Sequence, residues 1–165
     1  MVKIKTHKEA DIPLRVKWLN NPKVNKYTGE ILGEKTSLKK QAEWFLKYKK
    51  DKNKRFFTIF YDKCPIGFMG LSNINRINNN ADLFIAIGED SYRGRGLGRA
   101  SLEFLIDYAF KELKLHKINL GVVADNKPAV KLYKKLGFKV EGRMVEEVRH
   151  EGKYKDVLVM ALFGG

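Results

Sequence analysis

Six residues, Arg93-Gly94-Arg95-Gly96-Leu97-Gly98, stand where a strand-like run (82–88) gives way to a helix-like run (98–113). A strand feeding a helix through a glycine-rich turn commits the chain to an α/β architecture. The three glycines strip side chains from the turn, so its N–H groups can come close to a ligand. The following helix aims its N-terminus, and a partial positive charge, at the same spot. Arg93 and Arg95 add full charges. Such an assembly suits a phosphate or diphosphate. A glycine turn alone also serves wherever φ must be positive, so the weight of the reading comes from the rest of the chain.

The 165 residues suffice for a single domain, 1–165, with one sizeable core. No apolar run reaches the roughly 20 residues that span a bilayer, and Met1–Lys5 alternates like a strand where a secretory leader would carry an apolar block. With a lone cysteine, Cys64, no internal disulfide can form, and a reducing cytoplasm is the expected location. Net charge is +14, a field that attracts polyanions. The 25 lysines are dispersed along the whole chain, whereas a dedicated nucleic-acid binder concentrates them with exposed aromatics. A solvated lysine coat is the plainer reading. His7, His116 and His150 lack metal-ligand spacing, so no metal is expected.

Periodicity and punctuation divide the chain into alternating elements. Val2–Thr6 reads as a strand, followed by a helix that carries Ile12, Leu14, Val16, Trp18 and Leu19 and stops at Asn20-Asn21-Pro22. Residues 26–35 read as a glycine-punctuated loop. Thr36 or Ser37 can cap a second helix bearing Trp44, Phe45 and Tyr48. Residues 55–61 and 66–72 form a predicted hairpin around Asp62-Lys63-Cys64-Pro65, and 82–88 a further strand. After the glycine loop come a helix to Leu113, a strand over 118–124, and a helix from Asn126 to Gly137 with Pro128 in its first turn. Residues 138–149 and 153–163 close the chain as an antiparallel pair. The pattern predicts a mixed central sheet of about seven strands with about four helices.

Three segments together resemble the GNAT superfamily of N-acetyltransferases. Ala81–Gly88 leading into Arg93–Gly98 is similar to that family's strand and its Arg/Gln-x-x-Gly-x-Gly/Ala loop. Asn126-Lys127-Pro128-Ala129-Val130-Lys131-Leu132-Tyr133-Lys134-Lys135-Leu136-Gly137-Phe138 follows its Asn-x-x-Ala-x-x-x-Tyr-x-x-x-Gly-Phe pattern, and 152–160 has the look of its last strand. The opening, with Asp11, Trp18 and Asn20-Asn21-Pro22, resembles the branch of ribosomal-protein N-terminal and spermidine acetyltransferases.

The resemblance implies the GNAT fold, with a splay between two central parallel strands, and acetyl-CoA as co-substrate. It places the diphosphate on N–H groups from Gly94, Arg95, Gly96, Leu97, Gly98 and Arg99, with Arg93 and Arg95 beside the phosphates and Lys131 toward the adenosine 3′-phosphate. The pantetheine arm would pair with Phe84, Ile85, Ala86 and Ile87. Tyr133 would protonate the departing thiolate, Asn126 would cap its helix and touch the cofactor, and Asp82 would act as base, directly or through water. Direct attack in a ternary complex needs a neutral amine, a form that an ordinary alkylamine with pKa near 10.4 takes about once in a few thousand molecules at pH 7. The expected acceptor is a protein N-terminus of ribosomal type. A small polyamine or an amino sugar is the alternative, and a non-catalytic CoA-binding or nucleic-acid-binding protein the rival class. The acceptor pocket is expected from residues 26–35, the second helix and the 140–151 hairpin, with Tyr27, Glu30, Glu34, Glu141, Glu146 and Glu147 as its polar groups. Nucleic acid is expected only indirectly, through the ribosome; no membrane partner is expected, and a homodimer would be in keeping with the family.

Overall fold

The structure, a computed structural model, describes residues 1–28 and 35–165, with Tyr27 and Thr28 as backbone. Its strands are β1 (Val2–Thr6), β2 (Arg55–Tyr61), β3 (Cys64–Asn75), β4 (Asn80–Ile87), β5 (Lys117–Val123), β6 (Lys139–His150) and β7 (Lys153–Phe163). They form one sheet in the order β1-β2-β3-β4-β5-β7-β6. Among the described residues every pairing is antiparallel except β4 with β5.

The described α-helices are α1 (Ile12–Leu19), α2 (Pro22–Thr28), α3 (Leu38–Lys50), α4 (Leu97–Asp107) and α5 (Lys127–Lys135). The sequence pattern predicts about four, and α2 is the addition. Asn20-Asn21-Pro22 ends α1 and also starts the next helix. The side-chain oxygen of Asn21 accepts from the Lys23 N–H at 3.0 Å, and Pro22 takes the first helical position, where its missing N–H costs nothing. Part of the expected 26–35 loop is therefore helical, and Glu30 and Glu34 lie outside the described residues. The hairpin turn is also tighter than expected. Tyr61 pairs with Cys64, leaving Asp62 and Lys63 as the turn, with Asp62 at φ 54°.

Strand alternation sorts side chains onto two faces. From β4, Ala81 and Leu83 join Ile59, Met69, Leu71, Ile118 and Leu120 on one face, covered by Leu97, Leu102 and Leu105 of α4 and by Val130 and Tyr133 of α5. From the other face, Phe84 and Ala86 meet Trp18 and Leu19 of α1 and Phe68 of β3. Trp18 is wholly buried, stacks on Phe68 at 6.0 Å, and donates its indole N–H to Glu89 at 2.8 Å.

The single parallel contact is short. β4 and β5 pair only over Asn80–Asp82 and Lys117–Asn119. Beyond that point β4 keeps β3 on one side as far as Ile87, and β5 keeps β7 on its own far side as far as Val123. The two strands part toward their C-terminal ends, and the gap between them opens at the glycine loop.

Candidate active site

The gap is the base of a cavity of about 850 Å³, within the usual size for small-molecule sites. One wall is the edge of β4, with Leu83, Phe84, Ile85, Ala86 and Ile87. The facing wall is Gly121 and Val122 of β5 with Asn126, Ala129, Leu132 and Tyr133 of α5 and its cap. Above them lie Arg93, Gly94, Gly96, Leu97, Gly98 and Arg99. Past Phe84 the cavity runs onto the α1–α3 face, where Arg15, Trp44, Phe56 and Phe68 line it.

The loop has the form an anion cradle requires. Gly94 and Gly96 have φ of 72° and 75°. A Cβ at either would meet nothing within 4 Å, so positive φ and open space, rather than crowding, call for glycine. Gly96 is the N-cap of α4 and brings no side-chain oxygen to the helix end. The first-turn N–H groups at Leu97, Gly98 and Arg99 have no intrahelical acceptor, and they stay available to an anion. By contrast, Asn126 caps α5 with its own side chain, accepting from the Ala129 N–H. The residues present therefore fit a diphosphate.

Arg93 lines the cavity but is largely used within the loop. Its Nε donates to the Ile87 carbonyl at 3.0 Å and it pairs with Asp90 at 3.0 Å. Its Nη2 is buried with no hydrogen-bond partner among the described residues. Arg99 lines the cavity with Glu103 on its Nε at 2.9 Å.

Tyr133 lies on the cavity wall beside the splay, packed edge-on to Phe138 at 5.7 Å. Among the described residues nothing hydrogen-bonds to its hydroxyl. Burial disfavours the phenolate and pushes the phenol up to about 12. The group stays protonated through the physiological range and is a standing donor.

Three expected site residues stand elsewhere. Asp82 is not among the lining residues; its carboxylate accepts from Asn73 at 2.8 Å. It sits opposite Ser72 in register, and Ser72 does line the cavity. Arg95 turns away from the cavity and lays its guanidinium 5.1 Å from the rings of Tyr61 and Tyr92. Lys131 borders a separate shallow depression with Lys127, Lys134 and Lys135. Helical spacing explains Lys131: at about 100° per residue it faces away from Ala129, Leu132 and Tyr133. The 140–151 hairpin contributes nothing to the lining either; Glu141 pairs instead with Lys117 at 2.8 Å.

The aromatic end of the cavity is what the sequence reading missed. Phe56 stacks on Trp44 at 5.5 Å and meets Phe84 edge-on at 4.8 Å. Arg15 lies 3.8 Å over Trp44, its Nε donating to Gln41 at 2.8 Å. The available signal is alternation in β2: Phe57 goes to the core, so Phe56 must face the other way. The wall lysines Lys23 and Lys54 pair with Asp90 at 3.1 Å and Asp51 at 3.6 Å.

A seven-stranded mixed sheet splayed at its one parallel pair, with a glycine cradle at the mouth of the splay, defines an acyl-CoA-type transferase fold. The chain belongs to the GNAT family: the acetyltransferase (GNAT) domain matches residues 2–139. Spermidine N(1)-acetyltransferase of Escherichia coli strain K12 is 32% identical over 122 residues, 74% of this chain and 65% of that protein. The corresponding protein of Vibrio cholerae is 39% identical over 104 residues, 63% of this chain and 60% of its own length. The matched stretch thus spans less than two thirds of these relatives. The crystal structure of spermidine N-acetyltransferase from Vibrio cholerae in complex with CoA and spermine superposes with a TM-score of 0.93 at 32% identity, covering 99% of this chain and 95% of that one.

Proposed function

We propose that this chain is an acetyl-CoA-dependent N-acetyltransferase acting on a small primary amine, a polyamine of the spermidine class. The observation that carries the activity is the break in β4–β5 pairing after Asp82 and Asn119, which leaves a strand edge open beside the glycine cradle. Likeness to spermidine acetyltransferases favours the polyamine over a protein N-terminus. Within the cavity, Lys23 pairs with Asp90 and Lys54 with Asp51, and the rings of Phe56 and Phe84 offer an alkylammonium cation–π contact.

Acetyl-CoA supplies the activated acyl carbon. The chain's share begins with the cradle and the free edge of β4, which hold the two substrates together. Backbone N–H groups of that edge, near Ile85, are unpaired on the β5 side and would stabilise the developing oxyanion of the thioester carbonyl. The attacking amine sheds its proton to water. Asp82 is off the cavity wall, so any share it has in this step runs through water beside Ser72.

Tyr133 donates to the departing thiolate. Burial holds this phenol above its ordinary range and well above an ordinary thiol, so full proton transfer to the thiolate is uphill. Tyr133 therefore acts by hydrogen-bonding the developing charge, and the amine's proton balances the final thiol.

The test is acetyl-CoA turnover across polyamines, N-terminal peptides and amino sugars, with Tyr133→Phe beside wild type. Turnover on polyamines is expected, with kcat of the variant down about a hundredfold and acetyl-CoA affinity kept. An unchanged kcat would remove Tyr133 from the chemistry. Failure of wild type to bind acetyl-CoA would remove the activity itself.

A further inference from the structure

We propose that Arg95 is a positioning residue: it clamps the glycine cradle from outside through Tyr61 and Tyr92, and is not itself a phosphate ligand. Gly94 and Gly96 line the cavity and Arg95 between them does not. The left-handed φ on either side, 72° and 75°, turns the loop so that backbone faces inward while the Arg95 side chain leaves on the other side. Its guanidinium carbon lies 5.1 Å from each tyrosine ring centroid, within cation–π range. The two rings are 5.9 Å apart.

Both anchors are fixed. Tyr61 ends β2, paired with Val2 on one side and Cys64 on the other. Tyr92 closes the 3₁₀ turn Asp90–Tyr92, its N–H on the Glu89 carbonyl at 3.1 Å. Arg95 thus ties the middle of the loop to the far end of the β2–β3 hairpin. Arg93 ties the loop's start to β4 through the Ile87 carbonyl.

A loop with two glycines has much backbone freedom to lose. Ordering it before the ligand arrives lowers the cost of binding. The planar guanidinium can lie against both rings, which a lysine ammonium does less well. This inference rests on the cradle being the diphosphate site of acetyl-CoA.

Tyr61 is the discriminating partner, because it does not line the cavity. CoA affinity is measured by calorimetry for wild type, Arg95→Ala, Tyr61→Leu, Tyr61→Phe and the Arg95→Ala/Tyr61→Leu double variant. Hydrogen exchange of the amides at 93–98 is followed without ligand. Arg95→Ala and Tyr61→Leu should each weaken CoA about two- to fivefold and speed loop exchange. The double variant should be no weaker than Arg95→Ala, and Tyr61→Phe should match wild type. Loss of affinity in Arg95→Ala with Tyr61→Leu at wild-type affinity and exchange would overturn the clamp and make Arg95 a direct ligand. If wild type takes up no CoA, the nucleotide reading fails on its own. Faster exchange in both variants then still upholds the clamp, and unchanged exchange overturns it.

Discussion

His7 makes acid stability a sharp test of the interior. It is buried, and its Nδ1 lies 2.8 Å from the Thr58 hydroxyl. Thr58 donates onward to the Asp11 carboxylate at 2.9 Å. Because that hydroxyl's hydrogen is committed to Asp11, Nδ1 must carry the imidazole proton and donate to Thr58. Nε2 is then a bare lone pair, buried without a hydrogen-bond partner among the described residues, with the rings of Trp44 and Phe45 at 6.2 and 6.3 Å. A second proton would place a charge there. Burial, and secondarily the Arg15 charge, lower the pKa from 6.5 to about 4; Asp11 opposes them. Between those values the unfolded chain binds more protons than the folded one, so the stability of the neutral form is present above pH 6.5 and lost as pH falls toward 4. A drop of this size caps the loss at about 3 kcal/mol, of which about 2 kcal/mol is gone by pH 5. Urea unfolding at pH 7 and pH 5 measures it, with His7→Gln as the variant that cannot titrate. Wild type should lose about 2 kcal/mol more than the variant between the two conditions. Equal losses would refute the assignment. The lowered carboxylates Glu89, Asp90 and Asp156 are common to both proteins and cancel.

Gly88→Ala would set a Cβ 2.2 Å from the Trp18 ring; the expected cost is about 1–3 kcal/mol or more, read by denaturant unfolding together with a shift in tryptophan emission. Asn126→Ala removes the cap of α5 and should cost about 1 kcal/mol, while Asn126→Asp keeps most of it; thermal unfolding separates the two. Asp82→Asn should lower kcat/KM by less than the roughly hundredfold expected for loss of a direct base, and a pH–rate profile identical to wild type would remove Asp82 from proton transfer altogether.

The sequence was most informative where the deciding physics is local. Positive φ at Gly94 and Gly96 and the caps at Ser37 and Asn126 act within a few residues, and each stands where the pattern puts it. Helix α2 was missed because Asn20-Asn21-Pro22 carries a stop and a start in the same residues, and the stop alone was read. The outward turn of Lys131 was legible from helical spacing. That of Arg95 was not, because the rings that draw it come from Tyr61, more than thirty residues earlier, and from the turn at Tyr92.

By itself, then, the sequence determined the alternation of elements, the bare turn between β4 and α4, and the tyrosine on α5, since propensity, periodicity and left-handed backbone belong to short stretches of chain. The tertiary structure decided that β4 and β5 part after Asp82 and Asn119, that Trp44, Phe56 and Phe84 meet at one end of the cavity, and that Arg95 leaves it. Strand partners and side-chain destinations depend on which distant segments pack together, and that choice is made by the whole core at once.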